Sequence, residues 1–516
     1  MKSSGERSPG LARNILSNWG AFAFTAVVSF VLSPFIVRSL GDSRYGVWVL
    51  LTSLVGNLGL LDLGVRSAVS RYIARYHASG EHETASRLYT AGLRIFGLAG
   101  ALSILLSVGM AVLLGTTLFK VPPEYVRIAQ IIAVLGGLTM AVTLVGGLYG
   151  GILIGLERFD LANGLEVLVG ALRAVAIVVV LKAGYGLVAL SLVQLAASAL
   201  RGSVSVYLCR RLYVELKLLA GAWDWEMVRL IFSYGIAAAL LNAAATLMVS
   251  SSSLVLGVLL PASMITFWGI AANLNEYARS VVSGISYTVT PRISALQAKG
   301  SPTDMQNAVM TGSRLTAFVV LPIAATFLLR GPSFIGLWMG PQYADLSGRV
   351  LQILALTLWP IAGYQVAAAA ILGVAKQRRM IPIFFGEAAV NVVLSIFLVR
   401  TYGVVGTAVG TLIPRLIMSM IVGPWFVRRE IGLPLRTFWV GALVLPTVAM
   451  VPFAIASYAV ERFWPATHLA IYFAQVGLVL PLAAIGFWVV CLSPAERDSL
   501  SGRVLAFSRR RMARQA

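Results

Sequence analysis

Residues 128–156 read IAQIIAVLGGLTMAVTLVGGLYGGILIGL, an apolar run without one charged side chain. A helix of about 20 apolar residues crosses the hydrocarbon core of a bilayer, and this run exceeds that length. Comparable runs follow one another along the chain. They predict helices at 14–37, 45–68, 91–118, 128–156, 161–181, 186–208, 230–257, 263–289, 308–329, 350–374, 381–399, 403–426, 437–459 and 467–491. No segment between them is long enough for a soluble domain. The composition agrees, with 58% hydrophobic and only 12% charged residues, too few to coat a water-soluble core of this size. The fold class is therefore an all-α polytopic membrane protein with about 14 transmembrane helices.

Loop charge sets the orientation. With the N-terminus cytoplasmic, the inner segments hold about 24 Lys and Arg residues and the outer segments about 9. Arg71, Arg75, Arg87, Arg210, Arg211, Lys376, Arg428 and Arg429 fall inside; Arg38, Arg44, Lys120, Arg330 and Arg349 fall outside. An even helix count returns the C-terminus to the cytoplasm. The net charge of +21 is then mostly topogenic and calls for no nucleic acid partner. The basic tail around Arg509-Arg510-Arg511 reads as a solvated end, with contact to anionic lipid headgroups as the second reading. The first run is longer than a signal-peptide core and is expected to stay as a helix. Cys209 and Cys491, at helix ends, suggest neither a disulfide nor a metal site.

A faint internal repeat recurs at about 218 residues. Tyr185-Gly186 returns as Tyr402-Gly403, and Arg210-Arg211 returns as Arg428-Arg429, each arginine pair ending a helix. The expected organisation is an N-terminal six-helix lobe at 1–212, a cytoplasmic linker at 213–229 and a second six-helix lobe at 230–430. Two further helices follow at 431–492 and a basic tail at 493–516. Paired bundles of this kind are a transporter architecture, with the binding site near the membrane midplane between the halves. Trp223, Asp224, Trp225 and Glu226 predict a short interfacial helix in the linker, or else a loop anchored by its tryptophans. Gly147, Gly151 and Gly155 lie four apart, a spacing that lets helix backbones approach.

Ionisable residues inside the predicted helices carry the functional signal. Each costs roughly 2.5–3.5 kcal/mol at a helix centre, so each is expected to face a cavity or a partner. Asp62 and Arg66 lie four apart on helix 2. Glu276 and Arg279 lie three apart on helix 8, beside Asn273 and Asn275. Glu166 and Arg173 share a stripe of helix 5, too far apart for a simple pair. Glu387 and Asn391 share a face of helix 11, and Arg415 follows Pro414 on helix 12; Arg201 sits on helix 6. The reading is a hydrophilic, arginine-rich lumen. Arg66, Arg173, Arg279 and Arg415, with Asn273 and Asn275, are its candidate substrate ligands, because the planar guanidinium fork suits phosphate. Asp62, Glu166, Glu276 and Glu387 are candidate ion-coupling groups, since a poorly hydrated carboxylate holds a proton more readily. The competing reading makes Asp62–Arg66 and Glu276–Arg279 self-neutralised structural pairs.

There is no Walker A pattern, no HExxH and no histidine ligand cluster, and the outer loops lack paired carboxylates. An enzyme is not expected, nor a metal, nor a cofactor.

Several motifs resemble the polysaccharide-transporter flippases of the multidrug/oligosaccharidyl-lipid/polysaccharide exporter superfamily. They are Phe35 to Gly41, Tyr45-Gly46-Val47-Trp48, Leu61-Asp62-Leu63-Gly64-Val65-Arg66-Ser67-Ala68 and Arg71-Tyr72. Gly155 to Asn163 and Asp224 to Arg229 add to them. The resemblance implies two six-helix lobes and alternating-access movement of undecaprenyl-diphosphate-linked oligosaccharide across the bacterial inner membrane. It also implies membrane lipids, a polysaccharide polymerase and a chain-length regulator as partners. Between Asn18 and Pro34 helix 1 carries no charge, where drug-exporting relatives usually have a carboxylate and lipid II flippases an arginine. An ion-coupled small-molecule exporter is the alternative reading, and a non-transporting assembly factor a more distant one.

Overall fold

The structure, a computed structural model, describes residues 9–116, 118–298, 301–373, 379–492, 494 and 496–498. Among them all the regular secondary structure is helical, with no strand. The helices are α1 (Pro9–Leu40), α2 (Asp42–Asn57), α3 (Val65–Ser79), α4 (His82–Leu114), α5 (Pro123–Gly155), α6 (Phe159–Lys182), α7 (Leu187–Leu212) and α8 (Trp225–Leu259). They continue as α9 (Ala262–Ala298), α10 (Pro302–Trp338), α11 (Ala344–Gly373), α12 (Ile381–Ile417), α13 (Gly423–Ile431), α14 (Leu435–Trp439), α15 (Leu445–Phe463) and α16 (Leu469–Val490).

Twelve runs among the described residues are long and apolar enough to cross a membrane. Two features account for the gap between twelve and the fourteen crossings read from sequence. The run Ile381–Ile431 has 51 residues. As one straight helix it would measure ~76 Å, far beyond a hydrocarbon core of ~30 Å. It bends at Gly403, whose φ of 57° and ψ of −138° leave the helical region, so the one run holds two crossings. Tyr185-Gly186, the earlier copy of that motif, lies between α6 and α7. The motif therefore marks a joint both times. The other feature is α9, which is long enough but interrupted by Asn273, Asn275, Glu276 and Arg279.

Helix 2 of the sequence reading, expected unbroken over 45–68, is discontinuous. After α2 the chain tightens into a 3₁₀ turn, Leu58–Asp62. It then passes through Leu63 at φ 49° and Gly64 at φ 75° before α3 begins. Positive φ is strained for a branched side chain and free for glycine. Gly64 is required twice over, since a Cβ there would lie 2.1 Å from the carbonyl oxygen of Gly235 on α8.

The chain divides into two compact units. The first comprises residues 1–269 and 378–407, the second 270–377 and 408–516. In the first unit α3, α4, α5, α7 and α8 share a core built on Val65, Val69, Ile73, Phe96, Leu148 and Ile231, all fully buried. The glycine stripe on α5 is what seats α3. A Cβ on Gly151 would come within 3.1 Å of the Arg66 carbonyl oxygen, and one on Gly155 within 2.6 Å of that of Ser70. In the second unit α9, α10 and α11 share a core with α15 and α16, through Val282, Val320, Leu358, Phe453 and Val479. The two extra helices are thus part of the second unit's packing.

Two further expectations are corrected. Of the two readings of the linker the helix gives way to the loop: no helix runs from 213 to 224, and α8 begins only at Trp225, with Asp224 accepting a bond from the Met227 amide at 3.2 Å. Residues 213–224 instead run as a strap along α4. Ser86 and Thr90 accept bonds from the Lys217 and Leu219 amides. Arg94 donates to the carbonyls of Leu219, Gly221 and Ala222. Arg87 holds Asp224 at 2.7 Å and Glu226 at 2.8 Å. The Arg87 hydrogen bond keeps the Asp224 carboxyl below its ordinary range. Its share of stability is therefore complete at neutral pH and disappears only as acid protonates the carboxylate. Side chains that satisfy a peptide backbone directly leave that backbone no reason to coil. The second correction concerns Arg330, expected in an outer loop after a helix ending at 329. α10 runs on to Trp338 and Arg330 lies inside it, 1% exposed.

Candidate functional site

In the first unit one pair of charges sits at the helix break. Arg66 and Asp62 lie 3.4 Å apart across the left-handed turn at Leu63 and Gly64. The Arg66 guanidinium occupies the hollow above Gly147, where a Cβ would stand 2.3 Å from its Nη2. Irregular backbone at membrane depth is tolerated where it is packed in protein or lines a hydrated cavity, and here it aims an ion pair.

Glu166 does not meet Arg173. It bonds Arg201 of α7 at 2.8 Å, with the two side chains 40% and 50% exposed. The pair is thus not sealed into the packing of α6 and α7, and charges left that open in an apolar helix call for water or a further partner. Arg173 donates instead to Gln194 Oε1 at 3.3 Å. Asn163 donates to Asn18 at 2.5 Å, tying α6 to α1.

A second polar group lies deeper in the same unit. Ser250, Ser251, Ser252 and Ser253 of α8 are all buried, as are Glu387, Asn391 and Ser395 of α12. Ser250 donates to Asn57 Oδ1 at 2.8 Å and Ser251 to Asn391 Oδ1 at 3.3 Å. Hydroxyl and amide groups of α2, α8 and α12 thus meet where apolar packing would be cheaper. Four consecutive serines in an apolar helix were visible in the sequence and went unread.

In the second unit Arg279 donates to Glu276 Oε2 at 3.4 Å, with the side chains 28% and 47% exposed. Asn275 is 8% exposed, and its Oδ1 has no hydrogen-bond partner among the described residues. Asn273 is half-buried on the same helix, and Arg415 on α12 is 8% exposed. The strongest buried charge cluster of this unit was missed altogether. Arg330 donates to Glu461 Oε2 at 2.6 Å and to Gln475 Oε1 at 2.5 Å. Its guanidinium lies 4.3 Å from the ring centroid of Tyr472, and Ser333 donates to Glu461 as well. This cluster joins α10, α15 and α16. At the other end of α10, Arg314 donates to the carbonyls of Gly441 and Cys491.

What the arrangement offers is a set of partly exposed guanidinium groups in membrane helices, each beside a carboxylate or amide. Arginine in that setting binds phosphate by charge and by paired donors.

Comparison with known proteins adds the family. The model of the polysaccharide biosynthesis protein family matches residues 11–297, more than half of the chain, and the MatE model matches 237–397. The chain is 23% identical over 424 residues to the "Putative O-antigen transporter" of Shigella flexneri, covering 81% of this chain and 98% of that protein. In fold it is similar to a lipid II flippase, MurJ, in an inward closed conformation. There the TM-score is 0.70 at 13% identity, over 92% of this chain and 99% of that one. It is also similar to an inward-facing multidrug resistance MATE family transporter of the MOP superfamily. That TM-score is 0.65 at 16% identity, over 80% of this chain and 94% of the other. At such identities the likeness speaks for the fold. The chain is a multi-pass membrane protein of the polysaccharide biosynthesis protein family, and its helical fold is similar to that of the lipid II flippase and of the MATE transporter.

Proposed function

We propose that this protein is a flippase for lipid-linked oligosaccharide, carrying undecaprenyl-diphosphate-linked glycan across the bacterial inner membrane for surface polysaccharide assembly. The observation that carries the reading is the arginines held partly exposed in membrane helices, Arg66 and Arg201 in the first unit and Arg279 in the second. Charged side chains there, even when paired, are costly unless they serve a hydrated path or an anionic substrate. The diphosphate of a lipid carrier is such a substrate. The Shigella relative is named for O-antigen transport and the MurJ neighbour for flipping lipid II, both in keeping with this reading. Alternating access moves the headgroup past the membrane midplane. Glu387 and Glu166 are the carboxylates we assign to coupling with an ion gradient. A polysaccharide polymerase and a chain-length regulator are the downstream partners.

The test is gene deletion. Loss of the protein is expected to stop delivery of one surface glycan and to leave its lipid-linked precursor on the cytoplasmic side. The MatE match over residues 237–397 favours a second reading, an ion-coupled small-molecule exporter. Normal surface glycan with altered drug sensitivity, in a strain lacking other flippases, replaces our reading with that one.

The orientation we propose places both termini in the cytoplasm. Ser79 is the last residue of α3 and Pro123 the first of α5; both are exposed. A single cysteine at Ser79 is expected to stay shielded from a membrane-impermeant thiol reagent in intact cells, while one at Pro123 labels. The native Cys209 and Cys491 are buried and give little background. Strong labelling at position 79 with none at 123 reverses the topology.

A further inference from the structure

Inside the first unit, between α2, the middle of α5 and the start of α7, lies a cavity of about 200 Å³ lined by Trp48, Thr52, Thr139, Ser191 and Gln194, with apolar side chains such as Val55 between them. It is smaller than the roughly 300–1,000 Å³ taken by drug-sized ligands, so it suits one ring and not an extended chain. Its polar groups are arranged with unusual regularity. Thr52 donates to the Trp48 carbonyl, Thr139 to that of Leu135 and Ser191 to that of Leu187. Each hydroxyl proton is thereby spent on its own helix, and the oxygen lone pairs remain as acceptors. Gln194 supplies the complementary donor. Arg173 occupies its Oε1 at 3.3 Å, which fixes the amide and leaves its NH₂ to donate. Trp48 adds a broad aromatic face beside them.

An aromatic face, several acceptors and an oriented donor match a sugar ring, whose hydroxyls both donate and accept around a carbon frame. The apolar side chains between these groups, Leu51, Val55 and Ile132, suit the carbon frame of such a ring. We propose that this cavity is a subsite for one sugar ring of the transported glycan, with Trp48 as the platform and Gln194 as the directing donor. In it Arg173 is a positioning residue that acts through Gln194. The proposal rests on the flippase reading above and extends it from the lipid diphosphate to the glycan.

The full-length protein in lipid nanodiscs tests it with two probes. One is undecaprenyl diphosphate; the other is the same lipid bearing the repeat-unit oligosaccharide extracted from the source cells. Wild type is expected to bind the glycosylated lipid about tenfold more tightly. Trp48→Ala and Gln194→Leu should each weaken that binding by roughly tenfold and leave the bare lipid within about twofold. Trp48→Phe retains the aromatic face and should stay close to wild type, which also covers a Trp48→Ala variant that does not fold. Arg173→Ala should weaken the glycosylated lipid less than Gln194→Leu does. If wild type binds both probes and the variants change both alike, or neither, the subsite is overturned and the flippase reading stands. If wild type binds neither probe, the flippase reading falls and the subsite with it.

Discussion

Arg330→Ala is expected to destabilise the protein by about 3–5 kcal/mol, the usual consequence of removing one partner of a buried ion pair. The Arg330 side chain is wholly buried and that of Glu461 is 20% exposed. Alanine would leave the carboxylate to the Ser333 hydroxyl and would strip Gln475 Oε1 of the guanidinium. It would also remove the cation beneath the Tyr472 ring. Thermal unfolding of the detergent-solubilised protein, followed by intrinsic fluorescence, measures the loss. Arg330→Lys should fall between, since lysine keeps the charge and loses the fork that reaches two acceptors. The double change Arg330→Met/Glu461→Leu should recover more than half of the loss, because replacing both charges with apolar groups removes the desolvation cost. A single alanine variant as stable as wild type would show that this cluster does not hold α15 and α16 to α10.

Arg279→Ala should abolish transport while the protein accumulates at its normal level. Glu276 keeps 47% of its side chain exposed, so losing Arg279 does not strand a carboxylate in apolar surroundings, and little instability follows. Arg279→Lys should restore transport only in part, as a point charge replaces a planar donor pair. Delivery of the surface glycan, normalised to protein abundance, is the readout. Full transport by Glu276→Ala/Arg279→Ala would make the pair structural and remove Arg279 from the substrate path.

The legibility of these two sites differs for a physical reason. Arg279 could be read because its neighbours lie within two helical turns: Glu276, Asn275 and Asn273 crowd a single apolar stretch. Arg330 could not, because Glu461 and Gln475 lie more than a hundred residues away. Next to Gly331 and Pro332 it looked like the end of a span. The Glu166 pairing failed in the same way: the sequence offered Arg173 on the same helix, and packing supplied Arg201 from the next. Asp62 and Arg66 were paired correctly, but across a broken turn and not along one continuous helix.

By itself the sequence determined the all-helical membrane class, the approximate positions of the spans, the glycine stripe on α5 and the motifs of the family. Those follow from local composition, because a bilayer demands long apolar runs whatever their neighbours are. Only the tertiary structure decided which charges pair, that the linker lies as a strap on α4, and that α15 and α16 share a core with α9, α10 and α11. It alone placed the Trp48–Gln194 cavity among three helices distant in sequence. Such contacts depend on which helix faces are brought together, and hydrophobic periodicity does not encode that choice.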